Sequence, residues 1–531
     1  MTAPVTKRSF PPGALTAELI AARQAEVRSF HMPGHKGGRG ASQLAHEVLG
    51  SAAFAADLSE LGGFDYLHSA AGGIAESQRS AAALFGAERT HYLINGSTVG
   101  NIAALVATTC DDGEALVLRA SHRSMYAGLA MSGAAPRYVP PCPSATLDGW
   151  FGGDMSVAVA IAAEPSHRIQ AVHVTRPNYY GFCVDLAAWV DLARSLDVPL
   201  IVDEAHGTHF VFSDGLPPSA LSLGADLAIQ SPHKTLSSLT QSSLLHVQGN
   251  RVDHSRLSTV LAMLQSSSPS ALLLASLDLA CTQMKFEGRQ LWSAVVALAH
   301  DVRAQINAIE GLHCVGEEIL GVGGITSIDP TKIVIDVTGV NLDGWTAAAR
   351  LRAHSGLNPE FADARRIVCS LTVADDVSSA SLLIDALSQL ARVTAGSRPE
   401  GVGGPGEQRS EAAERSLSVT AGSPFAKCQA VFSTGTASTP VVAITPRQAG
   451  QQPSTSIDVD QAAGRVSAEF IIPYPPGIPL VVPGELLDAA TLRLARQLRN
   501  SGASIVGTAD ATLSTIRVLV GMDFEGRGYP Q

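Results

Sequence analysis

Two residues of complementary chemistry each follow a short apolar segment. Asp203 ends the segment at 199–203 (PLIVD), and Lys234 comes soon after the segment at 225–230 (ADLAIQ). A lysine can form a covalent link to pyridoxal phosphate, and a carboxylate against the pyridine nitrogen keeps that nitrogen protonated, so that the ring accepts electrons. The pair therefore predicts a site for this cofactor.

Two further segments supply what such a cofactor needs. Residues 95–101 (NGSTVGN) offer small side chains, hydroxyls and backbone amides, and we expect a helix from near Ile102 whose N-terminus faces the phosphate. His122 follows an apolar segment at 115–118, where its flat ring could stack on the cofactor.

Each feature alone also has a plainer interpretation. Residues 95–101 could be an ordinary strand-to-helix turn, and His122 could be a surface or hydrogen-bonded core histidine. Asp203 could cap a helix or pair with a base, and Lys234 could be a solvated lysine. It is their occurrence together that favours the cofactor site.

Two competing sites are rejected on sequence grounds. Lys36, in the segment HMPGHKGG at 31–38, lies among proline and glycine and follows no predicted strand, so nothing would hold its amine rigidly over a cofactor. His206 and His209 lie beside carboxylates, but they lack the helical HExxH register of a zinc protease. We therefore expect no metal site.

The surrounding sequence places Asp203 at the edge of a sheet. Residues 170–175 (QAVHVT) are predicted to form a strand, Asp185 to cap a helix with apolar residues at the 3.6-residue period, and 199–203 to form the next strand. A βαβ unit of this kind brings the end of its second strand to the carboxyl edge of a parallel sheet, where ligands bind.

Strands and helices alternate through most of the chain, which predicts an α/β fold with a mostly parallel central sheet and helices on both faces. We expect an N-terminal arm and large cofactor-binding domain at 1–320, a small α/β domain at 321–393 and a C-terminal α+β domain at 424–531. Glycine, proline, serine and charged residues dominate 394–423, which predicts a disordered linker.

The chain has 531 residues and a formal net charge of −11, with 46% hydrophobic and 16% charged residues. This composition fits several folded domains and argues against a nucleic-acid partner, because an acidic protein repels a phosphate backbone. No apolar run reaches the length of a membrane span, and residues 1–13 lack the apolar region of a signal peptide. Seven scattered cysteines without a CxxC pair fit buried thiols, and we expect a cytoplasmic protein.

Taken in order, these segments resemble the Orn/Lys/Arg decarboxylases, pyridoxal phosphate enzymes of the aspartate aminotransferase fold (fold type I). The motifs that carry the resemblance are HMPGHKG at 31–37, GST at 96–98, SHRS at 121–124, PNYYG at 177–181, DEAHG at 203–207, SPHKT at 231–235, LTQ at 239–241, PYPPGIP at 473–479 and PGE at 483–485. The last two are similar to the family's C-terminal domain. The resemblance implies decarboxylation of arginine, lysine or ornithine to the corresponding amine and CO2.

The resemblance also implies a role for each site residue. Lys234 would carry the cofactor, Asp203 would bind the pyridine nitrogen, and His122 would stack on the ring. His233 or Lys234 would return a proton to the α-carbon of the substrate. The residues implied at the phosphate are Ser97, Thr98, Ser231 and His233, with Ala205 against the other ring face and His206 also at the cofactor.

In this family the active site lies at a dimer interface, so we expect at least a homodimer in which residues 268–270 (SPS) reach the partner's cofactor. The first motif begins by residue 31, so the chain resembles the compact members without a receiver-like N-terminal domain, which favours polyamine synthesis. Four positions depart from residues common in relatives without removing the core machinery: Ala120, Arg123, Pro232 and Ala271.

The distal cation of a basic substrate requires a carboxylate or a hydroxyl. The candidates are Glu360, Asp363, Glu469 and Glu485, and the last two are slightly favoured because they flank the C-terminal motif. The cofactor shell would also serve transamination or aldol cleavage, and a regulatory relative that binds the cofactor without turnover is the non-enzymatic alternative.

Overall fold

The computed structural model describes residues 10–25, 28–61, 63–395, 440–474, 477–500 and 502–523. Its α-helices are α1 (Ala14–Gln24), α2 (Gln43–Leu49), α3 (Ser51–Ala56), α4 (Gly73–Phe85), α5 (Gly96–Thr108), α6 (Arg123–Ser132), α7 (Met155–Ala162), α8 (Leu186–Ser195), α9 (Ala220–Leu223), α10 (Pro232–Thr235), α11 (His254–Leu264), α12 (Ala271–Asn307), α13 (Gly344–Ser355), α14 (Val377–Ala395), α15 (Pro446–Gln451) and α16 (Ala489–Asn500). Its strands are β1 (Arg89–Leu93), β2 (Glu114–Leu118), β3 (Ala135–Val139), β4 (Cys142–Ser144), β5 (Gly149–Phe151), β6 (Ile169–Thr175), β7 (Phe182–Val184), β8 (Leu200–Asp203), β9 (Leu227–Gln230), β10 (Ser243–Val247), β11 (His313–Cys314), β12 (Ile325–Ile328), β13 (Lys332–Asp336), β14 (Phe361–Ala362), β15 (Arg366–Ser370), β16 (Ser454–Asp458), β17 (Arg465–Ser467), β18 (Ile472–Tyr474), β19 (Ser504–Val506) and β20 (Thr515–Asp523).

A seven-stranded sheet forms the centre of the molecule, in the order β1-β10-β9-β8-β6-β2-β3. The five strands from β9 to β3 are parallel, whereas β10 runs antiparallel to both of its neighbours. The predicted unit at 170–203 is present as β6, α8 and β8, with the side chain of Asp185 capping α8. The prediction of a mostly parallel central sheet is confirmed.

Helices cover both faces of this sheet because its strands alternate two apolar surfaces. In β2, Leu116 and Leu118 belong to the core that contains α8 and α12, while Ala115 and Val117 belong to the core that contains α5, α6 and α11. A strand that is buried on both faces is typical of a sheet covered by helices on each side.

A second, four-stranded antiparallel sheet has the order β11-β13-β15-β14. It packs with α13, α14 and the end of the 37-residue helix α12, which also packs against the central region of the molecule. The sheet begins with β11, before the predicted domain boundary at residue 321. The boundary itself stays a prediction.

The C-terminal region contains a three-stranded sheet, β16-β20-β17, a two-stranded sheet, β18-β19, and the helices α15 and α16. It has an apolar core of its own, which includes Ile471, Leu492 and Ile516. The predicted linker at 394–423 lies outside the described residues except for its first two, which end α14. In the described part of the chain, no helix has the length and apolar character that a membrane span requires.

Candidate active site

The predicted site residues converge where parallel strands of the central sheet end. Asp203 is the last residue of β8, His122 follows β2, and Lys234 lies in α10, directly after β9. The N-terminus of α5 comes to the same edge, since the backbone amide of Gly96 donates to the carbonyl of Gln241 at 2.8 Å. This is the edge at which open α/β sheets bind their ligands.

The carboxylate of Asp203 is buried and accepts two hydrogen bonds. Its Oδ2 accepts a hydrogen bond from Nδ2 of Asn101 at 2.9 Å, and its Oδ1 accepts one from the backbone amide of Ala205 at 3.2 Å. Asn101 is held in turn by Nε2 of His173, 3.2 Å from Oδ1 of the amide. Burial lowers the pKa of His173 to about 4, so this ring is neutral at physiological pH.

Lys234 lies close enough to this carboxylate for the charge of Asp203 to act on its pKa. Pro232 begins the short helix α10, at a position that requires no backbone N–H, and Lys234 follows two residues later. Nζ of Lys234 lies 3.1 Å from Nε2 of His206 and 6.0 Å from the centre of the Tyr179 ring. The ring of Tyr179 lies in turn 4.9 Å from the ring of His206, so the lysine is placed by two rings.

Neighbouring groups of both signs act on the pKa of Lys234. Burial by the surrounding protein and the nearby charge of Lys332 lower its pKa, against the opposite effect of Asp203 and Glu360. The neutral amine is the nucleophilic form that a covalent link to a carbonyl requires. Burial and the charge of Lys234 also hold the pKa of His206 well below its usual range, so His206 can accept the hydrogen bond from Nζ.

Three serine hydroxyls meet at the start of α5. Oγ of Ser97 lies 2.6 Å from Oγ of Ser231, and each of them lies 3.4 Å from Oγ of Ser243. The first amides of any helix lack an intrahelical acceptor and carry the positive end of its dipole. Hydroxyls and helix amides together form a cradle that suits a phosphate group. Thr98 lies in the first turn of α5, with an exposed side chain.

The predicted start of α5 near Ile102 is wrong, because the helix already begins at Gly96. Glycine and β-branched residues in 96–100 are poor helix formers, which argues for a later start. Packing overrides this preference. A Cβ atom at Gly100 would lie only 2.8 Å from side-chain atoms of Ile229 and Leu93, so glycine here allows α5 to approach the sheet closely.

His122 is the N-cap residue of α6. Its Nδ1 accepts a hydrogen bond from the backbone amide of Ser124 at 3.3 Å and lies 2.8 Å from Oγ of the same residue. Burial lowers the pKa of His122, which Asp203 opposes and Lys234 reinforces, so the three predicted residues act on one another electrostatically. The ring is therefore neutral and fixed at the edge of the cleft.

His233, and the residues of the two sites rejected from the sequence, have separate hydrogen-bond partners. Nδ1 of His233 lies 2.7 Å from the carbonyl of Ser242, to which it donates, and burial lowers its pKa. His206 and His209 face different partners, since Nε2 of His209 lies 3.1 Å from Asp329. Lys36 donates to the carbonyl of His31 within its own turn.

This geometry agrees with the sequence comparisons. A profile of the Orn/Lys/Arg decarboxylase major domain matches residues 12–378, and a profile of the C-terminal domain of the same family matches residues 427–507. The chain belongs to the Orn/Lys/Arg decarboxylase family. It is therefore a carboxy-lyase that acts on a basic amino acid.

Relatives of this decarboxylase span nearly its whole length. It is 37% identical over 491 residues to an arginine decarboxylase of Bacillus anthracis and 35% identical over 498 residues to one of Bacillus subtilis (strain 168), in each case covering 92% of this chain and 94% of the relative. The solved structure of a lysine decarboxylase from Francisella novicida matches with a TM-score of 0.79 and 19% identity, over 96% of this chain and 81% of that chain. This match shows a shared fold.

Two residues near Lys234 and Asp203 have no individual role in the sequence prediction, although one of them, Asn101, lies in the segment 95–101. Asn101 lies four residues after Ser97, so helical periodicity places both on one face of α5 and could have identified it. Lys332 comes from the small domain, where its Nζ donates to Oγ of Ser370 at 2.7 Å. Its contribution to the cleft depends on how the two domains pack, and the sequence around it carries no signal for that.

Among the candidate carboxylates, the two favoured from the sequence are engaged elsewhere. Glu485 pairs with Arg119 at 3.1 Å, and Glu469 accepts hydrogen bonds from the backbone amides of Ala509 and Arg517 at 2.8 and 2.9 Å. Both carboxylates are therefore engaged in structural contacts, and the preference for Glu469 and Glu485 as substrate partners stays a prediction.

The two remaining candidates, Asp363 and Glu360, differ in whether other residues already engage their carboxylates. Asp363 accepts hydrogen bonds from the hydroxyl of Tyr180 at 2.7 Å and from Arg366 at 3.1 Å, so it is also engaged. Glu360 is exposed, and its charge raises the pKa values of both Lys234 and Lys332, which places it towards the cleft.

Proposed function

We propose that this enzyme decarboxylates arginine to agmatine and CO2 with bound pyridoxal phosphate. The substrate follows from the two relatives named arginine decarboxylase, which match 92% of the chain at more than a third identity. The cofactor is supported by one arrangement: Lys234, Asp203 and the serine cradle lie at a single sheet edge. Each is the residue type that one part of the cofactor requires.

The residues of the cleft fit the parts of pyridoxal phosphate. Nδ1 of His206 is buried and has no hydrogen-bond partner among the described residues, which marks a polar cleft completed by a ligand. The residues that would hold the cofactor are Ser97, Thr98, Ser231 and His233 at the phosphate, Asp203 at the ring nitrogen, His122 and Ala205 at the ring faces, His206 beside the ring, and Lys234 as the covalent link. When bound, the cofactor supplies an electron-accepting ring for the electron pair left by departing CO2.

The chain's own residues divide the remaining work. Asp203 would hold the proton of the ring nitrogen, and its carboxylate is fixed for this role by hydrogen bonds from Asn101 and from the backbone amide of Ala205. Lys234 would react as a neutral amine, and its lowered pKa eases the loss of its proton. After CO2 leaves, the α-carbon would need a proton, and His233 or Lys234 is the proposed donor once it has taken up a proton itself.

Glu360 is the carboxylate that suits the distal guanidinium of the substrate. It is exposed at the cleft, unlike Asp363, Glu469 and Glu485, and it acts electrostatically on Lys234. A carboxylate can bind a guanidinium through two parallel hydrogen bonds, a geometry that an ammonium group cannot match.

The proposed assembly is a homodimer in which residues 268–270 approach the partner's cofactor. It is supported by large apolar side chains that are each more than half exposed and fall between residues 30 and 61, namely Phe30, Met32, Leu44, Val48, Leu49 and Leu61. Exposed apolar side chains that form a contiguous patch are typical of a contact with another protein. The described cysteines are free thiols, which fits the proposed cytoplasmic location. The proposed role of the reaction is polyamine synthesis.

The deciding experiment measures CO2 release from arginine, ornithine and lysine by the purified enzyme loaded with pyridoxal phosphate, with the product identified by mass spectrometry. We expect agmatine from arginine, at a higher kcat/KM than for the other two substrates. CO2 release from lysine or ornithine alone would overturn the proposal that arginine is the substrate. A keto acid in place of an amine would indicate transamination, and a bound cofactor without any turnover would indicate a regulatory relative.

A further inference from the structure

A buried ion pair joins the C-terminal domain to the segment that carries His122. Nη2 of Arg119 lies 3.1 Å from Oε2 of Glu485, and the two side chains are only 9% and 3% exposed. Arg119 directly follows β2, three residues before His122, while Glu485 belongs to the C-terminal PGE motif.

The guanidinium of Arg119 also donates hydrogen bonds to backbone carbonyls of the C-terminal domain. Nη1 donates to the carbonyl of Pro479 at 2.7 Å, and Nη2 donates to the carbonyl of Leu480 at 3.0 Å. Oε2 of Glu485 also accepts the backbone amide of Val482 at 2.8 Å, so the loop is tied to the same carboxylate. A planar guanidinium can reach several acceptors at once, which a lysine cannot.

The same arginine is fixed to α6. Nη1 donates to the hydroxyl of Tyr126 at 2.7 Å, and that hydroxyl donates to the backbone carbonyl of Arg119 at 2.5 Å. The guanidinium carbon lies 5.3 Å from the ring centre of Tyr126 and 5.2 Å from that of Tyr138. Arg119, His122 and the first turn of α6 therefore form one connected unit.

We propose that Arg119 and Glu485 are positioning residues through which the docked C-terminal domain fixes the start of α6, and with it the ring of His122 over the cofactor site. His122 caps α6, with the amides of Ser124 and Met125 bonded to its ring and its carbonyl. A shift of the Arg119 turn must therefore move His122. The effect on the cofactor rests on the proposed function.

A second contact shows that docking of the domain does not depend on Arg119 alone. Arg447 donates to the carbonyls of Ala130 and Met131 at the other end of α6 and pairs with Asp111. The C-terminal domain thus holds α6 at both ends, and its N-terminal end carries His122. Arg447 provides a matched control for loss of an interdomain contact.

The experiment compares Glu485→Gln with Arg447→Ala by hydrogen exchange of α6 and by the rate at which loaded enzyme releases pyridoxal phosphate. Glu485→Gln keeps the size of the side chain and removes the charge. We expect faster exchange at the amides of Ser124 and Met125 and release of the cofactor on the order of tenfold faster. Arg447→Ala should raise exchange at the other end of α6 and leave the release rate unchanged.

One result would show that the ion pair merely joins the domains and does not position His122. In that case Glu485→Gln lowers the unfolding temperature, while exchange at Ser124 and Met125 and the rate of cofactor release stay as in wild type. Equal acceleration of release by Arg447→Ala would also overturn the proposal. If Glu485→Gln does not fold, Arg119→Lys carries the same expectations, because it keeps the charge and cannot reach all its acceptors. Exchange measured without cofactor tests the positioning of α6 even if the wild type binds no pyridoxal phosphate.

Discussion

The side-chain amide of Asn101 donates a hydrogen bond to Oδ2 of Asp203 over 2.9 Å. The same nitrogen lies 3.0 Å from Oγ of Ser124, and Oδ1 of the amide faces His173 at 3.2 Å. Asn101 thereby links α5, which is proposed to hold the phosphate, to the carboxylate that is proposed to face the ring nitrogen.

Replacement of Asn101 by alanine should loosen the cofactor. The change leaves Oδ2 of Asp203 without its amide donor, and an unpaired buried group of this kind costs about 1–3 kcal/mol. We expect lower stability and a higher dissociation constant for pyridoxal phosphate, measured by titration of its visible absorbance. The control is Thr108→Ala on the same helix, which loses only a hydrogen bond to the carbonyl of Ala104. Wild-type affinity in Asn101→Ala would contradict the role of this residue.

Lys234→Ala should abolish both turnover and the visible absorbance of the lysine-linked cofactor, because it removes the amine that is proposed to form the covalent link. Asp203→Ala should weaken cofactor binding and nearly stop decarboxylation, because the ring nitrogen loses the group that keeps it protonated. Absorbance spectra and CO2 release measure both effects. Lys36→Ala is the matched control and should keep the absorbance band. An active, yellow Lys234→Ala enzyme would refute the assignment of Lys234.

Residues that end strands of one sheet could be predicted, because strand ends are readable from apolar, β-branched segments. The positions of Asp203, Lys234 and His122 at or just after strand ends are predictable in this way, and the parallel sheet brings these strand ends to one edge. Glu360 and Lys332 could not be assigned, because their approach to Lys234 depends on how the small domain packs on the large one. The sequence pattern and the chemistry of the side chains predict which residues could lie at the site. Which of several carboxylates approaches Lys234 depends on tertiary packing, for which the sequence carries no signal.

Glu360→Gln should raise KM for arginine with a smaller change in kcat. A charge-assisted hydrogen bond to a distal group that does not react contributes equally to substrate and transition-state binding, so we expect an increase of about tenfold to a hundredfold in KM. Steady-state kinetics with arginine measure it. The control is Glu469→Gln, where the lost carboxylate caps backbone amides in the C-terminal domain, so that unfolding temperature falls while KM stays unchanged. An unchanged KM in Glu360→Gln would exclude Glu360 as the guanidinium partner.

Glu204 should make folding stability depend on pH. It is fully buried beneath the site, where its oxygens accept hydrogen bonds from Gln230 and from the backbone amide of Ala220, both at 2.8 Å. Burial raises its pKa to about 7, and the guanidinium of Arg176 at 3.6 Å opposes that rise only in part.

Because the folded pKa of Glu204 lies above the unfolded value of 4.5, the folded protein binds the additional proton. Its contribution to stability is therefore full below about pH 4.5 and falls as the pH rises towards about 7, above which it stays constant. Relative to Glu204→Gln, which cannot ionise, the wild type should lose up to about 3 kcal/mol across this range. Denaturant midpoints of both proteins at several pH values measure the difference, with Glu310→Gln at an exposed position as the control for loss of one charge. A difference that stays constant from about pH 5 to about pH 8 would mean that Arg176 keeps Glu204 ionised in the folded protein throughout.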